Sequence, residues 1–293
     1  MATSKTIAAG LFKPELWSKE LLRKINDAGV MLDCVNRDYE GEIKNAGDTV
    51  HIQKIGDVTV RDYNPYAEGF AGITYEGLGG ETDTLVINQK KYFAFEVDDI
   101  EKVQANIAYM NKYLDQAKKA CVLVQDTFLL GKAADAAAEN QMGDVTLTAS
   151  NAYSTIVDLR TLLADANAID AAGKGADGKN PFLVVNPKVG AVIRKCPEFI
   201  HATAIGDANI RKGSIGQFGG FDIKETTNLK VAGTKHLIMA GTTEAITFAS
   251  QIIKTESMRS EAKFVDLVRG LYVYGAKTVQ PTCLATANIT IGA

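Results

Sequence analysis

Between Asp98 and Ala138 apolar residues recur at intervals of three and four without a break: Ile100, Val103, Ile107, Met110, Leu114, Ala117, Cys121, Val124 and Phe128. No proline interrupts the run, and its only glycine is Gly131. The spacing predicts one helix, roughly 60 Å long at 1.5 Å per residue and several times the usual length. Asp98 and Asp99 would start it, as caps and as partners of the helix dipole. A coiled coil is the first alternative. Beside the seam stand Gln104, Asn106, Asn111, Tyr113, Lys118, Ala120, Gln125 and Thr127, seven of the eight uncharged, where a dimeric zipper normally carries opposite charges. Towards the C-terminal end Val122, Leu123, Leu129 and Leu130 widen the stripe. One helix lying across a sheet fits that pattern better than two helices pairing.

The segments before this helix have little of their own to rest on. In the first forty-five residues, Lys13-Pro14-Glu15-Leu16-Trp17 opens an amphipathic stretch with Trp17, Leu21, Leu22 and Ile25 on one face and Gly29 as a stop. One short helix cannot bury such a stripe unaided, so it docks either on its own chain or on a neighbour. From Asp48 to Val97 the period becomes two, at Val50 and Ile52, Val58 and Val60, then Phe93, Phe95 and Val97. Between these arms, Asp62 to Asp83 holds Gly69, Gly72, Gly77, Gly79 and Gly80, a turn-rich tip. The simplest arrangement is a long two-stranded hairpin, which is marginal alone and needs a further surface. Tips of this length are often functional.

Beyond Gln141 the texture is α/β. Ala152 to Ile169 reads as a second amphipathic helix, with Ile156, Leu159, Leu163 and Ala166 on one face. The strand Phe182–Val185 is followed by Asn186-Pro187, a cap and a first-turn proline for a short helix. Gly213, Gly216, Gly219 and Gly220 punctuate a loop before Phe221-Asp222-Ile223. From His236 the pattern is mostly β, clearest at Leu237–Ala240, Ala245–Phe248 and Leu271–Tyr274. No internal repeat or low-complexity tract is visible.

Composition excludes several classes. Hydrophobic residues make up 46% of the 293, enough for a core. The formal charge of -3 argues against a basic nucleic-acid binder. Basic doublets at Arg23-Lys24, Lys90-Lys91, Lys118-Lys119 and Arg211-Lys212 are dispersed and read as solvated faces or subunit salt bridges. The longest apolar runs, such as Ala120–Val124, are far below the roughly 20 residues of a membrane helix. Met1 to Gly10 shows no secretory pattern, so a soluble protein that stays where it was made is expected, and Asn288-Ile289-Thr290 is a chance sequon. Cys34, Cys121, Cys196 and Cys283 are unpaired in spacing, and His51, His201 and His236 are scattered, so neither a disulfide framework nor a metal site is expected.

One string tempts a catalytic reading. Gly173-Lys174-Gly175-Ala176-Asp177-Gly178-Lys179 satisfies GxGxxG and nearly the whole phosphate-loop pattern. Those motifs work where a strand leads into a helix whose first amides face phosphate. Here a helix precedes and a strand follows, and Asn180 stands where the magnesium hydroxyl belongs. A solvated turn is the better reading. No GxSxG elbow or HExxH helix occurs, and no cofactor or enzymatic activity is expected.

The order of parts, from amphipathic arm through glycine-tipped hairpin and long helix to an α/β domain and terminal strands, resembles the major capsid proteins of tailed bacteriophages, with the Hong Kong 97-type fold. Local text carries the likeness over essentially the whole chain. Lys13-Pro14-Glu15-Leu16-Trp17, Tyr39-Glu40-Gly41-Glu42-Ile43 and Gly47-Asp48-Thr49-Val50 look like the arm-to-loop region of phage coat proteins. Gly216-Gln217-Phe218-Gly219-Gly220-Phe221-Asp222-Ile223 and Arg269-Gly270-Leu271-Tyr272-Val273-Tyr274-Gly275 look like later segments. The resemblance implies an α+β chain with an arm at 1–45, an extended loop at 46–97 and a spine helix with peripheral domain at 98–145. An axial domain would follow at 146–250, peripheral strands at 251–275 and a C-terminal strand returning to the axial domain at 276–293. Inter-subunit contacts would involve Trp17, Leu21, Ile25, Phe70, Tyr75, Lys90, Lys91, Arg211, Phe218 and Phe221.

By the same resemblance the chain forms hexamers and pentamers of an icosahedral virion shell around double-stranded DNA, without sequence-specific binding or membrane contact. Assembly would take place in the cytoplasm of a bacterial host. A separate scaffolding protein, a portal and decoration proteins would be its partners, since loop follows arm with no long extension between or before them. No motif assigns the lysine–asparagine cross-linking known in some members, although Lys90 and Lys91 lie near the loop's return. Two alternatives remain open at this point: an encapsulin-like compartment, which shares the fold, and a soluble α/β nucleotide-binding enzyme using the Gly173–Lys179 loop.

Overall fold

The computed structural model describes residues 29–39, 49–54, 60, 63, 73, 75, 77, 81–98, 108–197, 216–260 and 265–292. The arm helix through Trp17, Leu21, Leu22 and Ile25, and the predicted strand residue Val58, lie outside them.

Twelve strands are described. They are β1 (Thr49–Lys54), β2 (Glu81–Val86), β3 (Gln89–Asp98), β4 (Gln141–Leu147), β5 (Phe182–Val185), β6 (Gln217–Phe218), β7 (Phe221–Glu225), β8 (Val231–Ala232), β9 (Lys235–Gly241), β10 (Ile246–Arg259), β11 (Val265–Thr278) and β12 (Leu284–Ile291). The helices are α1 (Ala108–Gly131), α2 (Ala152–Asp165) and α3 (Pro187–Arg194). Strands β10 and β11, of 14 residues each, form an antiparallel ribbon that β3 extends into a three-stranded sheet. A mixed seven-stranded sheet runs β4-β12-β9-β5-β7-β6, with β8 on β9.

The ribbon is covered on both faces near its middle, which is why Tyr272, Val273 and Tyr274 are all buried in succession. Alternation sends Tyr272 and Tyr274 to one side, where the Phe128 ring of α1 meets Tyr274 edge-on at 5.3 Å. Val273, with Ala249 beside it, faces the other side and joins Val50, Ile52, Leu85 and Ile87 from the β1–β2 pair. Gly275 marks the crossing. A Cβ there would stand 2.5 Å from the Val86 carbonyl oxygen, so only hydrogen lets the two strands approach.

The hairpin differs from its expected form. β1 pairs with β2 from Thr49 opposite Val86 to Lys54 opposite Glu81. Phe93, Phe95 and Val97 are not its return arm: they belong to β3, which pairs with β11 instead. The fully buried Ile87 fixes the crossover between β2 and β3. Period-two alternation identifies strands but not their partners, so both arrangements satisfy the same pattern. Val60, expected in a strand, lies outside any and is 94% exposed.

Helix α1 is described over 24 residues, about 36 Å at the standard rise; residues 99–107 lie outside the described set. Asp98 is the last residue of β3, opposite Val265, and Asp99 lies outside the described set. The helix also ends at Gly131 rather than Ala138, giving way to 3₁₀ turns at Lys132–Asp135 and Ala138–Asn140. The tightened turn is tied down by Asp135, which accepts from the Thr278 hydroxyl at 2.9 Å and pairs with Lys132 at 3.2 Å. A run of alanines carries no facial signal to reveal such a change. Helix α2 likewise stops four residues early, at Asp165, with Asn167 in the left-handed region at φ 53°.

The buried face of α1 is also rotated from the predicted one. Val124 and Leu123 are 41% and 53% exposed, while Gln125 and Asp126 are buried. Both polar groups have specific partners. The Tyr272 hydroxyl donates to Gln125 Oε1 at 2.8 Å. Asp126 accepts from the backbone amides of Val30 and Met31 at 3.2 and 3.3 Å. It thereby holds a strap, residues 30–38, whose Met31, Leu32, Cys34 and Val35 are enclosed in the main core. The strap then bridges to β10, Asn36 donating to the Ile246 carbonyl and accepting from the Phe248 amide.

Two outcomes follow from these contacts. Gly275→Ala forces the β1–β2 pair away from the ribbon and lowers unfolding free energy by about 1–3 kcal/mol, read by denaturant melting; a stability within a few tenths of wild type contradicts the crossing. Burial raises the Asp126 pKa, and the two amides and the Lys224 charge offset only part of that. The folded state therefore holds this proton to higher pH than the unfolded chain. Between the ordinary carboxylate value and the raised one, this residue adds stability as pH falls. The unfolding free energy of wild type minus that of Asp126→Asn is expected to rise as pH is lowered through that window, and a flat or falling difference contradicts it.

Candidate functional site

β1 and β2, anchored across the ribbon, are joined by residues 55–80, of which 60, 63, 73, 75 and 77 are described. The large apolar residues among them are unusually exposed for their chemistry: Val60 94%, Tyr63 67%, Ile73 63% and Tyr75 88%. Aromatic and aliphatic side chains of this size, exposed within one connecting segment, mark an interaction surface more often than scattered solvent contact. The root itself is ordered by Val50, Ile52 and Leu85, by Lys277 facing Asp83 at 3.8 Å, and by the register of β1 on β2.

The predicted contact residues fall in different places. Tyr75 is in this segment, and Lys90 and Lys91 are exposed at the start of β3. Tyr92 follows them at 81% exposure, and no pattern in the sequence singles it out. Phe218 is half-buried, its ring edge-on to Tyr153 at 5.5 Å. Phe221 is fully enclosed in the chain's own core, so it has no face for a neighbour. Its apolar character reflects internal packing at the start of β7. Trp17, Leu21, Ile25, Phe70 and Arg211 lie outside the described residues.

The glycines around Phe218 and Phe221 build a tight turn. Gly219 and Gly220, at φ 59° and 83°, form the two-residue connection of the β6–β7 hairpin, the backbone of a type I′ turn. Arg160 of α2 fills the space a side chain at Gly220 would need, and reaches the carbonyls of Gly219 and Gly173 at 3.3 and 3.4 Å.

The Gly173–Lys179 loop connects α2 to β5, the helix-to-strand order expected for a turn and opposite to a phosphate loop. Its amides are already engaged. Lys174 donates to Asp170 Oδ1 at 2.8 Å, Lys179 to Asp177 Oδ1 at 2.9 Å, Gly175 to the Lys179 carbonyl and Gly178 to the Gly175 carbonyl. Burial alone would raise the Asp177 pKa, but the Thr243 hydroxyl and the Lys179 amide and ammonium hold it below the usual carboxylate range. A carboxylate fixed at the centre of the loop repels the phosphate that the motif would otherwise bind.

Beside this loop lies a cleft of about 690 Å³ between the strap and the ends of β5, β7 and β9. Its walls are mostly charged, with Asp33 paired to Lys224 at 2.9 Å and Asp177 to Lys179 at 3.5 Å. Its walls come from four separated segments, so no local pattern in the sequence marks it.

Three of the thiols are poor nucleophiles: burial pushes Cys34 up to about 12, and also raises Cys121 and Cys283. None of the four cysteines is in a disulfide. Among the described residues no group of three or more His, Cys, Asp or Glu is placed to hold a metal ion, and no helix is long and apolar enough to cross a membrane.

No curated protein matches the chain in sequence. Among solved structures, one from Mycobacterium phage Che8 is 26% identical, with a TM-score of 0.64 over 86% of this chain and 88% of that one. The capsid of Ralstonia phage GP4 is 12% identical, with a TM-score of 0.62 over 88% and 87%. A virus-like particle from Pyrococcus furiosus is 14% identical, with a TM-score of 0.54 over 93% and 98%. These likenesses show the Hong Kong 97-like capsid fold. The sequence model of the phage capsid protein family matches residues 81–287. With that match spanning well over half its length, this chain belongs to the phage capsid protein family.

Proposed function

We propose that this protein is the major capsid protein of a tailed bacteriophage, closing as hexamers and pentamers into an icosahedral head around double-stranded DNA. The observation that carries the proposal is the set of exposed apolar side chains in the segment that joins two strands with a buried base. Val60, Tyr63, Ile73 and Tyr75 are 63–94% exposed, and a neighbour in a closed shell supplies a covering surface. In this reading 46–97 is the extended loop lying over an adjacent subunit, with β3 paired to β11. Helix α1 and the three-stranded sheet make the peripheral domain, and the seven-stranded sheet the axial domain around each capsomer centre.

Physical chemistry supports a shell of this kind. A contact between unlike surfaces closes into rings when its rotation permits. Each contact is individually weak, but a shell makes many at once, and avidity multiplies them. A formal charge of -3 suits a container that must not grip packed DNA. The role is structural, and no catalysis is proposed. A scaffolding protein and a portal, encoded separately, are its proposed assembly partners in the bacterial cytoplasm. The compartment-shell alternative rests on fold alone, since the Pyrococcus furiosus particle is 14% identical, whereas the family match is to phage capsid proteins.

Negative-stain microscopy of the purified protein, with and without the co-expressed scaffolding protein, tests the shell directly: closed particles are expected, and a stable monomer under every condition refutes it. The triple variant Tyr63→Ser/Ile73→Ser/Tyr75→Ser is expected to reduce particle yield by about tenfold or more, because small losses repeat at each contact. Its melting temperature as an unassembled subunit stays within a few degrees of wild type, because these side chains are 63–88% exposed. A large fall in melting temperature would show that this segment folds onto its own chain.

A further inference from the structure

We propose that the charged cleft beneath the strap receives the Lys90–Lys91 end of β3 from a second copy of this chain, an inference that rests on the shell reading above. The cleft's walls carry five carboxylates against three cations. Lys224 and Lys179 are engaged by Asp33 and Asp177, and Asp222 accepts from the Asn180 amide at 3.4 Å. Asp38 and Glu244 remain without an ion-pair partner among the described residues. They face a space of about 690 Å³, large enough for two or three side chains and too dispersed in its acids to hold a metal ion.

The complementary surface is on the same molecule. Lys90 and Lys91 are exposed, adjacent and without an ion-pair partner among the described residues. β3 is an outer strand of its sheet in the order β10-β11-β3, so alternation places one ammonium on each side of the strand. Tyr92 beside them, 81% exposed, adds the kind of aromatic anchor that interfaces concentrate. The end of β3 thus presents a cation to each side with Tyr92 beside them, and the cleft presents Asp38 and Glu244; none of the four charges has an ion-pair partner among the described residues, so inserting the strand end into the cleft makes a contact between unlike patches. Repeated by rotation, such a contact makes a ring. Edge-strand lysines also serve simply to block strand pairing, a role that needs no acidic partner, so the test must separate the two.

Reciprocal charge reversal does so. Lys90→Glu/Lys91→Glu and Asp38→Lys/Glu244→Lys are each expected to lower particle yield by about tenfold, since weak pairs repeat around the shell. The combined four-residue variant restores it to within about twofold of wild type. Either reversal assembling normally, or the combination failing as badly as the single reversals while its subunit melts like wild type, overturns the proposal. A second measurement is independent of yield. Lys91→Cys and Glu244→Cys chains, assembled together and oxidised, are expected to give a disulfide-linked dimer on a non-reducing gel that neither chain gives alone. Absence of that dimer in well-formed particles overturns the docking and leaves the capsid reading intact. Failure of wild type to form particles at all overturns both.

Discussion

The β10–β11 ribbon is the part on which everything else rests, because near its middle it is dry on both faces at once. A two-stranded ribbon normally has one wet side. Here Tyr272 and Tyr274 are closed over by α1, while Val273 and Ala249 are closed over by the β1–β2 pair. Each fully buried large side chain contributes about 1.5–3 kcal/mol relative to exposure. Covering both sides lets one ribbon organise three layers. The geometry is demanding in return: Gly275 must remain small where Val86 passes over it, and Gly270 must leave room for the Phe93 ring.

That arrangement gives the segment between β1 and β2 a fixed base, where Val50, Ile52, Leu85 and Ile87 are buried against the ribbon. Beyond the base, Val60, Tyr63, Ile73 and Tyr75 stand largely in solvent. For an isolated subunit such exposure is a liability; for a subunit of a closed assembly it is the available contact surface. The strap at 30–38 applies the same logic to the other extremity of the chain. Its root is buried in the core and clamped by the Asp126 carboxylate, so whatever precedes Gly29 leaves from a fixed point.

Polar groups inside this architecture act as locating devices rather than as chemistry. Gln125 and Tyr272 meet across the helix–ribbon contact, and Asp126 spans from helix to strap. Each is buried, so a slip by one residue would leave a carboxylate or amide without its partner, at a cost of about 1–3 kcal/mol. The Gly173–Lys179 loop is a related case. Its amides and Asp177 satisfy one another, and the resemblance to a phosphate loop is a property of spelling only.

Much of the element inventory is determined locally and was legible in the residues. Phe182–Val185, Leu237–Ala240 and Leu271–Tyr274 read as strands and are strands, and Asn186-Pro187 does start a helix, its Asn186 side chain accepting from the Lys188 amide at 3.0 Å. The order of those elements carried the family likeness as well, because order is a property of the chain itself. Three things were settled only in three dimensions: β3 pairing with β11 rather than with β1, the turned face of α1 with Gln125 and Asp126 inward, and the enclosure of Phe221. The reason is common to all three. A residue's periodicity states that it needs a partner, but the partner's identity depends on which distant surface arrives there, and for Gln125 that surface lies 147 residues away at Tyr272. The charged cleft is the extreme case, since its walls come from segments that share no local pattern and become a site only when the strap is laid across the sheet.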